Sequence, residues 1–272
     1  MYKYVYRLLF LAFLVVISSC SDFQRVLKSD NVDEKYLAAV TYYEKGDYYR
    51  SGMLLEELMP IMKGRSEAER ALFYYANSHF QQHQYLLAAY YFRNLAETYP
   101  RGEFAEESLF MNAKSLYFDS PVYYLDQTST VGAMEAFQSF MTQHPASQFT
   151  PKADSMYNDL AVKLEKKAYE NAKLYYNVRQ YKSAVVALTN FMRDFPSSDY
   201  NEEVSFIRID GQFQLAKISV PQRQMERYEE VIDHYLYFID KYPQSKYLRG
   251  AEQIYDQAMA EVQKLKLSSH NQ

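Results

Sequence analysis

The chain has 272 residues, a formal net charge of −4 from 30 basic and 34 acidic side chains, and 48% hydrophobic residues. That is apolar material for one elongated domain or two compact ones, and the lack of a basic excess argues against a nucleic-acid partner. Seven Gly and eight Pro beside 29 Tyr and 17 Phe suit long helices and speak against a turn-rich all-β fold.

The first element is residues 1–19, where Lys3 and Arg7 precede an apolar run from Leu8 to Ile17. This is the layout of a secretory signal peptide, too short to cross a bilayer comfortably. Ile17-Ser18-Ser19-Cys20 looks like a bacterial lipobox, so Cys20 is expected to carry a lipid and to become the first residue after cleavage. As the only cysteine, it has no internal disulfide partner. Acyl chains hold a membrane at about 0.8 kcal/mol per buried CH₂, so the mature protein is expected to be tethered without crossing. Residues 20–31 read as the lipidated N-terminus and a polar tether. Ser21 does not look like an inner-membrane retention signal, which favours the outer membrane, and Asp22 is the only acidic residue nearby, so no acidic export tag is seen and the periplasmic face is expected.

From residue 32 the chain repeats. Pro100, Pro145, Pro196 and Pro243 lie 45, 51 and 47 residues apart, and each is followed by a polar stretch that can begin a new helix. Counting back from Pro196 gives Ala172, Tyr175, Tyr181, Ala184, Leu188 and Phe191. Pro100 gives Ala76, Tyr85, Ala88, Phe92 and Leu95. An earlier copy gives Ala39, Tyr42, Gly46, Tyr48, Leu55 and Leu58. Small residues where two helices cross and large apolar residues on the flanks match the tetratricopeptide pattern. Two less regular copies carry Ala113, Leu116, Ala133, Phe137 and Phe140, and Gly211, Tyr228, Val231, Tyr235 and Phe238. Residues 246–266 read as an amphipathic helix that caps the array. The expected fold is an all-α, right-handed solenoid of about five helical hairpins over 32–267, with a disordered tail at 268–272. Residues 119–126 interrupt the third copy at Pro121 and predict an ordered loop, with Thr128 or Ser129 capping the next helix.

The lipobox, the five repeats, breaks such as Tyr242-Pro243-Gln244-Ser245, and the run Ser120-Pro121 through Leu125-Asp126-Gln127-Thr128 resemble the BamD family of outer-membrane assembly lipoproteins. The dense Tyr usage is similar to Bacteroidetes-type versions. The resemblance implies a periplasmic scaffold of the β-barrel assembly machinery. It would bind the barrel-forming subunit and unfolded outer-membrane proteins. Two other readings stand beside it: a repeat scaffold for peptidoglycan synthesis or cell division, and a glycan-binding uptake lipoprotein.

By repeat position, a groove formed by the first helix of each hairpin is expected to present Tyr36 and Tyr43, then Phe73, Asn77 and Phe80, then Phe110, Lys114 and Tyr117, then Tyr169, Lys173 and Tyr176. Rigid amphipathic aromatics suit an extended peptide. No catalysis is expected. His79 and His83 are four apart but lack the glutamate of a zinc protease motif, and no phosphate loop or nucleophile elbow is present. No metal, small-molecule substrate or cofactor is expected beyond the lipid on Cys20.

Overall fold

The structure, a computed structural model, describes residues 22–270; the stretch expected to be a signal peptide and Cys20 lie outside the described residues. Among the described residues there are twelve helices and no strand. A short α1 at 22–27 is followed by five hairpins: α2 (Val32–Glu44) with α3 (Tyr48–Leu58), α4 (Ala68–Gln81) with α5 (Tyr85–Thr98), α6 (Ala105–Asp119) with α7 (Thr128–Gln143), α8 (Thr150–Asn177) with α9 (Tyr181–Asp194), and α10 (Asn201–Lys217) with α11 (Pro221–Lys241). Helix α12 (Leu248–His270) follows the last hairpin.

These helices form two compact units that divide in sequence between Ala161 and Val162, within the repeat region expected over 32–267. The division falls inside α8. Ala153, Met156 and Leu160 belong to the core of the first unit, and Tyr169 and Ala172 to a core of the second. The intervening Val162-Lys163-Leu164-Glu165-Lys166-Lys167 contributes no residue to either set of buried apolar side chains.

Two boundaries differ from expectation. The stretch read as a tether holds α1, whose Phe23 and Val26 enter the core of the first unit, and Asn31 caps α2 by accepting from the Asp33 and Glu34 amides at 3.1 Å. At the other end α12 runs to His270, into the stretch read as a disordered tail.

The small residues expected at the helix crossings of the first four hairpins, Ala39, Ala76, Ala88, Ala113, Ala133, Ala172 and Ala184, are buried, and so are the large apolar Phe92, Phe137, Phe140, Leu188 and Phe238. Each such large apolar side chain contributes roughly 1.5–3 kcal/mol on burial. Tyr175, read as part of this packing, is instead exposed.

The proline breaks repeat in geometry as well as in sequence. Tyr99, His144, Phe195 and Tyr242, each before a proline, leave the helix at φ near −124 to −131° and ψ 59 to 65°, because the proline ring crowds the helical conformation of its predecessor. The aromatic four residues after each proline then folds back onto an aromatic of the hairpin's own first helix. Phe104 stacks on Phe73 at 4.6 Å, Phe149 on Phe110 at 4.9 Å, Tyr200 on Tyr169 at 4.1 Å and Tyr247 on Phe206 at 4.9 Å.

A carboxylate from the second residue of that first helix reaches the same turn. Glu106 accepts from Ser147 Oγ at 2.5 Å and Glu202 from Ser245 Oγ at 2.6 Å. In the second hairpin Gly102 stands where these two have serine, and Glu69 accepts directly from the Phe104 amide at 2.7 Å.

The third hairpin is joined by an ordered loop, as expected, but Thr128 and Ser129 do not cap α7. The buried Gln127 organises the loop: its Nε2 donates to the carbonyls of Val122 (2.9 Å) and Leu125 (3.0 Å), and its Oε1 accepts from Thr130 (2.7 Å). Ser129 turns away to donate to Asp119 at 2.6 Å, and Asp126 takes the Thr128 amide at 3.0 Å. A loop without helix or strand needs such partners for its backbone groups.

Candidate functional site

The first helices of successive hairpins are linked by rungs that join an aromatic near the end of one helix to a polar residue on the next. In the first unit, Asn77 on α4 donates to the Tyr43 hydroxyl on α2, and Tyr43 also stacks on Tyr74 at 4.1 Å. Thirty-four residues after Phe80, the Lys114 ammonium on α6 sits 5.1 Å above its ring. Tyr117 in turn donates to Asp159 at 3.3 Å. In the second unit, Tyr176 on α8 donates to Asp210 on α10, again 34 residues on, and Lys173 donates to Glu203 at 2.5 Å and to the Tyr169 hydroxyl at 2.8 Å.

Half-burial tunes these groups. Desolvation raises the Tyr36, Tyr43 and Tyr117 hydroxyls, so they stay protonated donors. It lowers Lys114, with Lys152 adding repulsion, and raises the nearby Glu107 carboxyl. Burial alone would lower Lys173, but Glu203 and Tyr169 outweigh it and its pKa is raised. The arrangement can offer hydroxyls, ammonium groups and ring faces to a peptide; these residues form no acid–base pair aimed at a common point.

Of the eleven residues expected to face a groove, Tyr36, Tyr43, Asn77, Phe80, Lys114, Tyr117, Lys173 and Tyr176 are half-buried, and seven of these take part in the rungs. Phe73, Phe110 and Tyr169 are corrections: at 7%, 5% and 6% exposure they belong to the core. The cause is the aromatic after each proline, which covers them, with Phe92, Phe140 and Phe191 against their other edges. The acidic partners Asp159, Glu203 and Asp210 were not anticipated; a 34-residue step from Tyr176 would have found Asp210.

A groove of about 850 Å³ opens in the first unit between α5, α6 and α7, lined by Arg93, Asn112, Leu116, Ala136 and His144 among others. None of the eleven residues lines it, since they lie on other faces of their helices. His79 and His83 are engaged locally, His79 Nδ1 with Gln84 Oε1 at 2.5 Å and His83 Nδ1 with the Tyr85 hydroxyl at 2.6 Å. Among the described residues no group of three or more metal-ligating side chains exists, and no helix is long and apolar enough to cross a membrane.

Stacked helical hairpins with side-chain rungs across their first helices define a tetratricopeptide-like repeat protein, a class that acts as a protein-binding scaffold. The chain belongs to the YfiO family, described as outer membrane lipoprotein, whose family model matches residues 28–182 and 161–265. BamD is the type member of that family. Among solved structures, the chain is similar to a crystal structure of a kinesin light chain from Podosopora anserina with nearly identical TPR-like repeats. The two are 13% identical, over 89% of this chain and 97% of that one, with a TM-score of 0.33. None of the curated proteins compared with the chain matches it.

Proposed function

We propose that this protein is a periplasm-facing lipoprotein, held in the outer membrane by a lipid on Cys20, that scaffolds the β-barrel assembly machinery and helps insert outer-membrane proteins by binding them. Membership of the outer membrane lipoprotein family carries the reading. The loop organised by Gln127 supports it, because it lies in the segment that resembles the third-repeat signature of assembly lipoproteins. The partner-facing residues are the half-buried Tyr36, Tyr43, Asn77, Phe80, Lys114 and Tyr117 in the first unit and Lys173 and Tyr176 in the second. Their rings and protonated hydroxyls suit the alternating apolar and polar side chains of an unfolded β-strand.

The test is a detergent-solubilised pull-down of the tagged full-length protein, wild type against Cys20→Ala, with partners identified by mass spectrometry. Recovery of an outer-membrane barrel protein with periplasmic repeat domains, lost in the variant, is the expected result. Recovery of peptidoglycan enzymes or a sugar transporter alone would overturn the assembly role.

A further inference from the structure

Helix α10 carries a second polar feature, separate from the rungs. Asn201, Ser205, Arg208 and Gln212 recur at helical spacing on one face, and all four are buried. Three have partners within the second unit, although the Asn201 Oδ1 is covered without one. Asn201 Nδ2 donates to the Phe195 carbonyl at 2.7 Å, Ser205 Oγ meets Met192 Sδ at 3.5 Å, and Gln212 donates to Glu230 and to the Arg227 carbonyl.

Arg208 is not answered. Its side chain is 9% exposed and its Nε is covered without a hydrogen-bond partner. The groups that act on its charge are the hydroxyls of Tyr237 and Tyr242, with no carboxylate among them. Six more exposed arginines, Arg50, Arg65, Arg70, Arg93, Arg193 and Arg223, each have a carboxylate within ion-pair distance. A guanidinium does not give up its proton, and a covered, unpaired charge destabilises the fold that holds it.

The surroundings hold rings, a second cation and no carboxylate that acts on Arg208. The Arg208 guanidinium lies 5.4 Å over the ring of Tyr237, which is 41% exposed and receives a hydrogen bond from Lys241 at 3.3 Å. His234, whose Nδ1 is also covered and unpartnered, is pushed down to about 4 by burial and by Arg208, so it is neutral near pH 7 and adds no competing charge. Leu236, which precedes Tyr237 on α11, is 49% exposed.

We infer that Arg208 receives a carboxylate side chain from a partner protein, with Tyr237 and Leu236 as the apolar lip of the site. A guanidinium over a ring whose hydroxyl carries the Lys241 ammonium fits an Asp or Glu flanked by apolar residues, and a chain of net charge −4 does not attract a polyanion over a distance. The inference rests on the protein-binding part of the proposed function and not on barrel assembly.

A photo-crosslinking amino acid at Leu236 in the full-length, membrane-anchored protein tests it. The expected crosslinked peptide contains an Asp or Glu, Arg208→Met lowers its yield about tenfold or more, and Arg208→Glu abolishes it until that acid is changed to Arg on the partner. In parallel, the melting temperature of purified Arg208→Met should match or exceed that of wild type, because an unpaired charge has been removed. The inference is overturned by an unchanged yield, by no crosslink, by crosslinked segments without an acid, or by a fall in melting temperature of about 5 °C or more, which would make Arg208 a structural residue. It is also overturned if Arg208→Met abolishes binding to phosphatidylglycerol vesicles, which would assign the site to a lipid phosphate. A partner that is no barrel protein but meets the charge-swap result would sink the proposed function and leave Arg208 standing.

Discussion

The ammonium of Lys173 on α8 lies 2.5 Å from the carboxylate of Glu203 on α10, joining the first helices of the fourth and fifth hairpins. Burial would raise Glu203, but Lys173 and the Tyr169 hydroxyl outweigh it and its pKa is lowered. The pair's contribution from Glu203 is therefore complete above the ordinary carboxylate range and lost as pH falls through the lowered value. The raised Lys173 contributes fully below the ordinary lysine pKa, and that contribution is lost as pH rises through the raised value. Thermal unfolding of wild type and Glu203→Gln should differ at pH 7 and converge on acidification to about pH 3; a gap that stays constant would show that the pair adds no pH-dependent stability.

Three hairpin turns use the same left-handed residue. Gly46, His83 and Arg179 have φ of 77°, 61° and 60°, and each following residue donates its amide back to Tyr42, His79 or Tyr175 at 2.9 Å. Only the first is glycine. Arg179→Gly should stabilise the protein by about 0.5–1 kcal/mol, and Gly46→Ala should destabilise it by about 1 kcal/mol or more. Shifts of the denaturant midpoint in opposite directions are the readout.

Two helical glycines should respond oppositely to alanine. A Cβ on Gly211 would meet Tyr176 and Val185 at 3.6 and 3.7 Å, ordinary contact, so Gly211→Ala should gain about 0.5–1 kcal/mol of helix stability. A Cβ on Gly250 would come within 3.2 Å of the Phe206 ring, which is already held against Tyr247. Gly250→Ala should lose stability as Phe206 is displaced, by about 1–3 kcal/mol. Calorimetry on both variants checks the pair.

Phe110 and Tyr36 separate core from surface among the residues assigned to the groove by sequence. Phe110→Ala should cost about 3–5 kcal/mol, because it opens a cavity beneath Phe149 and Phe140. Tyr36→Ala should cost about 1 kcal/mol and leave the helical circular dichroism unchanged. Equal losses in urea unfolding would place both residues in one layer.

The hairpins were legible in local pattern. A small residue at each crossing and a proline at each break are local constraints, since only a small side chain lets two backbones approach and only a proline bars the next helical bond. Positions such as Ala88, Ala184 and Pro196 therefore announce their roles without a partner in view.

What lies opposite each side chain emerged only from the packing. Phe73 and Tyr36 both read as aromatics on a first helix; Phe104, 31 residues after Phe73, buries one, while the other stays half-buried. The same holds for charge. Lys173 and Arg208 are both cations on first helices, and packing brings Glu203 to the former and only aromatic rings and a neutral histidine to the latter. Helical periodicity fixes which face a residue occupies, but pairing across hairpins depends on contacts between residues tens of positions apart, which no local pattern encodes.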